Sequence, residues 1–228
     1  MQLRGSGATG LVRRMIRRVL LLHGIWMVGL TMRRFAHGLS EAGFEAEILD
    51  YHSVAGGPEA AVARLREALM QEPAHIVGHS LGGLSALQAV AGTPGLPVGR
   101  IVCLGSPLRG SQAAHRLARL PLSQLYFGRS ADILHEGCAQ WPAAVEVGMV
   151  AGCVPRGLGS LLARFDEPHD GTVAVAETRV PALKDHIVVR ASHSGLLIST
   201  EAVRQCAGFL SAGCFDHAQV RGGGARLG

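Results

Sequence analysis

A chain of 228 residues can bury one substantial core without disulfide or metal staples, and with 48% apolar and 17% charged residues it is not a disordered chain. The formal charge of +5 comes from the ends: Arg4, Arg13, Arg14, Arg17 and Arg18 open the chain, Arg221 and Arg226 close it, and without those seven 15 basic residues face 17 acidic ones. A body so balanced, with 4% aromatic residues, offers no nucleic-acid surface, and no run reaches the roughly 18 apolar residues of a membrane span.

Residues 1–14, with Gly5-Ser6-Gly7-Ala8-Thr9-Gly10, read as a flexible basic tail, and Met15 offers an alternative start. Arginines before Val19–Leu22 resemble the opening of a signal peptide. The apolar run is broken at once by His23-Gly24 and no small-x-small cleavage site follows, so the chain reads as cytoplasmic. Five cysteines, Cys103, Cys138, Cys153, Cys206 and Cys214, are odd in number and lack C-x-x-C spacing, which suits reduced thiols and suggests neither a metal site nor a cofactor.

Arg18–Leu22 is a short continuous apolar run, the pattern of a strand covered on both faces. A helix over Thr31–Glu41 stops at Gly43, and Phe44–Leu49 alternates as a second strand. After a loop, Pro58 opens a helix that runs to Met70. Ala74–Val77 predicts a third strand, Gly83–Val90 a helix, Arg100–Leu104 a fourth strand and Gln112–Leu120 a helix. Residues 111–141 carry the weakest pattern and form a candidate lid. Val145–Gly152 and Ile187–Arg190 close the set of strands, Thr200–Leu210 is the last helix, and 216–228 is a second flexible tail. Strands alternating with helices predict an α/β fold: a single domain over 15–215 with a doubly wound, mainly parallel sheet. Function in such sheets gathers at the carboxyl ends of the strands, where His23-Gly24, Ser80 and Gly105-Ser106-Pro107 fall.

Gly78-His79-Ser80-Leu81-Gly82 lies between the third strand and its helix, the context of a nucleophile elbow. The glycines let strand and helix approach while the serine is held in a strained conformation with its Oγ projecting. A serine hydroxyl needs a base oriented by a carboxylate, and on this topology the acid and then the histidine follow it in sequence. His193, in the turn after the last strand, is the base. His186 begins that strand, His217 lies in the tail, and His79 points away from Oγ and packs structurally. Asp132, Asp166, Asp170 and Asp185 compete for the acid; Asp170, in an Asp-Gly turn, leads, with Asp166 in reserve. The oxyanion requires two N–H donors, assigned to Leu81 and to Ile25 after His23-Gly24. Trp26, Met27 and Leu108 follow the strand-end motifs and line an acyl site.

Leu22-His23-Gly24, the Gly78–Gly83 elbow, Gly105–Ser111, Asp170–Val173 and Ser192–Gly195 together resemble the α/β-hydrolase superfamily. Within it they are most similar to bacterial triacylglycerol lipases and to lipase-like relatives of GPI inositol-deacylases. The resemblance, over about residues 18–212, implies Ser80 as nucleophile, Asp170 as acid, His193 as base, and Ile25 and Leu81 as oxyanion donors. The chain departs from secreted lipases in its shorter length and in lacking their signal peptide, calcium-binding aspartate pair and disulfide. The implied activity is hydrolysis of a small-molecule or lipid ester. Acyl transfer on the same triad and a binding protein that keeps the fold are the alternatives, and any membrane contact is peripheral.

Overall fold

Short apolar runs bounded by glycines and polar turns form six parallel strands in the computed structural model, which describes residues 16–25, 29–51, 57–117, 130–156 and 167–218. The N-terminal tail, residues 118–129 of the candidate lid and most of the C-terminal tail lie outside the described residues. In chain order the elements are β1 (Arg18–Leu22), α1 (Arg33–Glu41), β2 (Glu45–Leu49), α2 (Gly57–Gln71), β3 (Ala74–His79), α3 (Leu81–Ala91), β4 (Val98–Leu104), α4 (Gln112–Leu117), α5 (Ala131–Glu136), β5 (Glu146–Gly152), β6 (Asp185–Val189) and α6 (Thr200–Ala212). The strand order is β2-β1-β3-β4-β5-β6, all parallel. The chain runs outward from β1 to β2 and then returns past β1 to β3. That reversal makes the gap between β1 and β3 the switch point at which such sheets bind ligands.

Alternate residues of each strand feed two cores, which is why the runs read as continuously apolar. Leu20, Leu22, Ile76, Ile101 and Met149 pack against α2, α3 and α5 on one face. Val19, Leu21, Val77, Val102, Leu104 and Ile187 pack against α1 and α6 on the other. α6 is capped at both ends: the Ser199 hydroxyl accepts from the Ala202 N–H (3.2 Å), and Gly213, at φ 78°, donates to the Phe209 carbonyl (2.8 Å).

β4 begins two residues earlier than the sequence reading has it, at Val98, and β3 runs on to His79. β6 starts two residues earlier, because Asp185 caps the strand end with its side chain, accepting from the backbone N–H groups of His186 and Phe215 at 2.8 and 2.7 Å. Within the candidate lid, α5 is anchored by Ile133 and Leu134 in the core, and the Ser111 N–H donates to the Leu134 carbonyl. Residues 216–218, placed in the tail by the sequence, are tied to the body, since the Asp216 N–H donates to Gln205 and His217 contacts Asp185 at 2.9 Å. Among the described residues no helix is long and apolar enough to cross a membrane. All five cysteines are unpaired thiols.

Candidate active site

The elbow forms because nothing larger than glycine fits around it. A Cβ on Gly78 would stand 2.4 Å from the Gly83 nitrogen, and one on Gly82 2.4 Å from the Leu22 carbonyl oxygen. Both obstacles are backbone, so neither can yield cheaply. The first contact seats α3 on β3, and the second brings the start of α3 against the end of β1, beside His23-Gly24-Ile25. Gly78→Ala is expected to cost about 3 kcal/mol or more, a drop of roughly 6–12 °C in Tm for a chain of this size, measurable by thermal denaturation followed by circular dichroism.

Ser80 is the one non-glycine residue with positive φ among the described residues (φ 54°, ψ −118°). Its N–H donates to the Leu104 carbonyl (2.9 Å), its carbonyl accepts from Gly83 (3.1 Å), and α3 begins at Leu81. The first-turn N–H groups and the positive end of the helix therefore lie next to the serine.

Asp170 and His193 meet: His193 Nδ1 lies 2.7 Å from Asp170 Oδ2. The other carboxylate oxygen accepts from the N–H groups of Thr172 (2.9 Å) and Val173 (2.8 Å), and the His193 N–H donates to the Asp170 carbonyl (2.8 Å). Burial alone would raise the Asp170 carboxyl. The charge and hydrogen bond of His193 and the two backbone donors outweigh it, so the group sits below its ordinary 3.8. The rival Asp185 lies at the amino end of β6, occupied by the contacts already described, and Asp132 is exposed on α5. Asp166 lies outside the described residues. His186 is bonded to Thr178 (2.8 Å), and burial together with Arg179 lowers it to about 4.

Ile25 is half-buried, with its side chain against the core. Trp26 and Met27 lie outside the described residues. Leu108, expected at an acyl site, is fully buried in the core. Its carbonyl accepts from the Cys138 N–H (3.0 Å).

The sequence placed Gly105 at a strand end without a role, and it gave no role at all to Tyr51 and Glu177. Gly105, at the carboxyl end of β4 with φ 57°, leaves room for the pair: a Cβ there would lie 3.1 Å from Asp170 Oδ2 and 3.2 Å from His193 Nδ1. Its place after a buried strand was the available signal. Tyr51 stacks on the His23 ring (centroids 4.3 Å apart), and its hydroxyl donates to the His23 carbonyl, while Asp50 accepts from the Gly29 N–H. Together they brace the loop after β1, and polar residues following the neighbouring strand were the hint. Glu177 joins the loop after β4 to the loop carrying Asp170, accepting from Gln112 (2.6 Å) and Ala174 (2.9 Å). Nothing local in the sequence marks it. Among the described residues, no three His, Cys, Asp or Glu side chains converge as metal ligands.

A hydrogen-bonded Asp170–His193 pair and a positive-φ serine at a strand–helix turn, both at the carboxyl end of a parallel doubly wound sheet, fit an α/β-hydrolase architecture. The sequence profile of the alpha/beta hydrolase family matches residues 19–213, and the chain belongs to that family. No curated protein matches it. Among solved structures it is similar to the mature lipase BlEst2 of Bacillus licheniformis, at 17% identity and a TM-score of 0.70, covering 86% of this chain and 91% of that one. It is also similar to a metagenomic carboxyl esterase (20%, TM-score 0.62, 77% of this chain and 64% of that one). A third similar structure is polyneuridine aldehyde esterase (12%, TM-score 0.56, 86% and 99%). At these identities the likeness is one of fold. The narrower resemblance to GPI inositol-deacylases rests on the sequence motifs alone.

Proposed function

We propose that the protein hydrolyses carboxylic esters of small molecules or lipids through Ser80, His193 and Asp170. The Ser80 oxygen attacks the acyl carbonyl as His193 Nε2 takes its proton, and Asp170 holds the Nδ1–H and balances the imidazolium. The tetrahedral oxyanion accepts from the N–H groups of Leu81 and Ile25; the close approach of Gly82 to the carbonyls of Leu22 and His23 supports this pairing. His193 returns the proton to the departing alcohol. A water molecule, deprotonated by the same imidazole, then releases the acid from Ser80.

The observation that carries this reading is the 2.7 Å bond between Asp170 and His193 on the same sheet end as the strained Ser80. The esterase and lipase folds to which the chain is similar support it. The test is labelling by a fluorophosphonate probe, which requires an activated serine and no knowledge of the natural ester. Wild type is expected to label and His193→Ala to label at least about 100-fold more slowly, since the base is missing. Equal labelling of the two would remove His193 from the mechanism. A series of p-nitrophenyl esters of increasing acyl length then reads the substrate class.

A further inference from the structure

His79 directly precedes the proposed nucleophile, and its buried ring reaches the loop that carries His193. Its Nε2 lies 3.0 Å from the backbone carbonyl of His193, 114 residues later, and the two imidazoles pack with centroids 4.7 Å apart. A carbonyl only accepts, so Nε2 carries the proton and donates. Nδ1 keeps the lone pair, buried and with no hydrogen-bond partner. Burial and the neighbouring His193 lower His79 to about 3, which keeps the ring neutral; the other titratable groups acting on it are Asp170 and His23.

Granted the triad proposed above, we infer that His79 is a positioning residue that ties the base to the strand of the nucleophile. The base loop is also held by Asp170, through the His193 N–H and the ring Nδ1, and by the Val154 N–H, which donates to the Ala191 carbonyl (3.0 Å). None of these bonds runs to β3, so none of them sets the placement of His193 relative to Ser80. The bond from His79 supplies that placement, because residue 79 shares its backbone with residue 80. A donor of this kind matters to the proton transfer and not to substrate affinity, and a misplacement of about 1 Å at a reacting group costs on the order of 100-fold.

The test compares His79→Phe, which keeps a ring and loses the donor, with His79→Gln, whose amide N–H has the same reach as Nε2. Readouts are fluorophosphonate labelling rate, kcat and KM on a p-nitrophenyl ester, and Tm. His79→Phe is expected to lose about 10- to 100-fold in both kcat and labelling rate with KM within twofold, and His79→Gln to recover most of the loss. If His79→Phe fails to fold, His79→Gln decides: kcat within about threefold of wild type upholds the donor, and a larger loss in a folded protein overturns it. Equal labelling of wild type and His79→Phe, or a change confined to KM, overturns the positioning role alone. A folded wild type that does not label overturns the hydrolase reading and this role with it.

Discussion

Replacing Ser80 by alanine is expected to lower kcat at least about 10⁴-fold, while glycine at the same position abolishes activity equally and gives the more stable protein. The first effect follows from losing the nucleophile. The hydroxyls of Ser85 and Ser106, the serines that follow on α3 and after β4, are fully buried. The second effect follows from the backbone. At φ 54° and ψ −118°, a residue with a Cβ carries about 1–3 kcal/mol of strain that alanine retains and glycine relieves. Glycine also makes the unfolded chain freer, at a cost of about 0.4–1 kcal/mol. The balance favours glycine over alanine by about 1 kcal/mol, or roughly 2–4 °C in Tm. Calorimetry on both variants checks the strain, and an ester assay checks the nucleophile. More than a per cent of activity in Ser80→Ala would place the nucleophile elsewhere, and equal Tm values would mean that the turn holds no strain.

That Ser80 could be read from the sequence reflects how local an elbow is: strand, two glycines, serine and helix all fall within about a dozen residues. The strands were equally legible, because burial on both faces leaves long apolar runs. β6 began late in that reading because its first two residues are polar: the Asp185 side chain accepts from the N–H groups of His186 and Phe215, and the His186 ring meets Thr178. Asp170 and His193 could be ranked only by chain order and turn chemistry; their meeting is a contact across 23 residues. The supports around them were less visible still. His79 reaches a carbonyl 114 residues away, Glu177 a backbone N–H 65 residues away, and Tyr51 a carbonyl 28 residues back. Such bonds depend on the register of the finished sheet, so the pattern of neighbours in sequence carries at most the hint of polar residues after a strand, as at Tyr51, and nothing that names the partner.

Asp170→Asn is expected to lower kcat about 10⁴-fold with little change in fold. Asp170 Oδ1 is claimed by the N–H groups of Thr172 and Val173, and an asparagine keeps that acceptor in place. Its amide nitrogen is thereby turned toward His193 Nδ1, where the carboxylate oxygen now lies. Two donors cannot share that position, so Nδ1 must give up its proton and accept. The ring then carries its proton on Nε2, toward the serine, and can no longer take one. Substrate contacts are untouched, and KM should stay within a few-fold. The same carboxylate gives the stability a pH dependence of defined sign. Its folded value lies below the ordinary 3.8, so its contribution is complete above that pH and drains away as the pH falls through the lowered value. The stability difference between wild type and Asp170→Asn is therefore expected to shrink as the pH falls below 3.8, as urea titrations at stepped pH would measure. A gap that widens over that acid range would mean that Asp170 is held protonated and cannot serve as the ionised partner of His193.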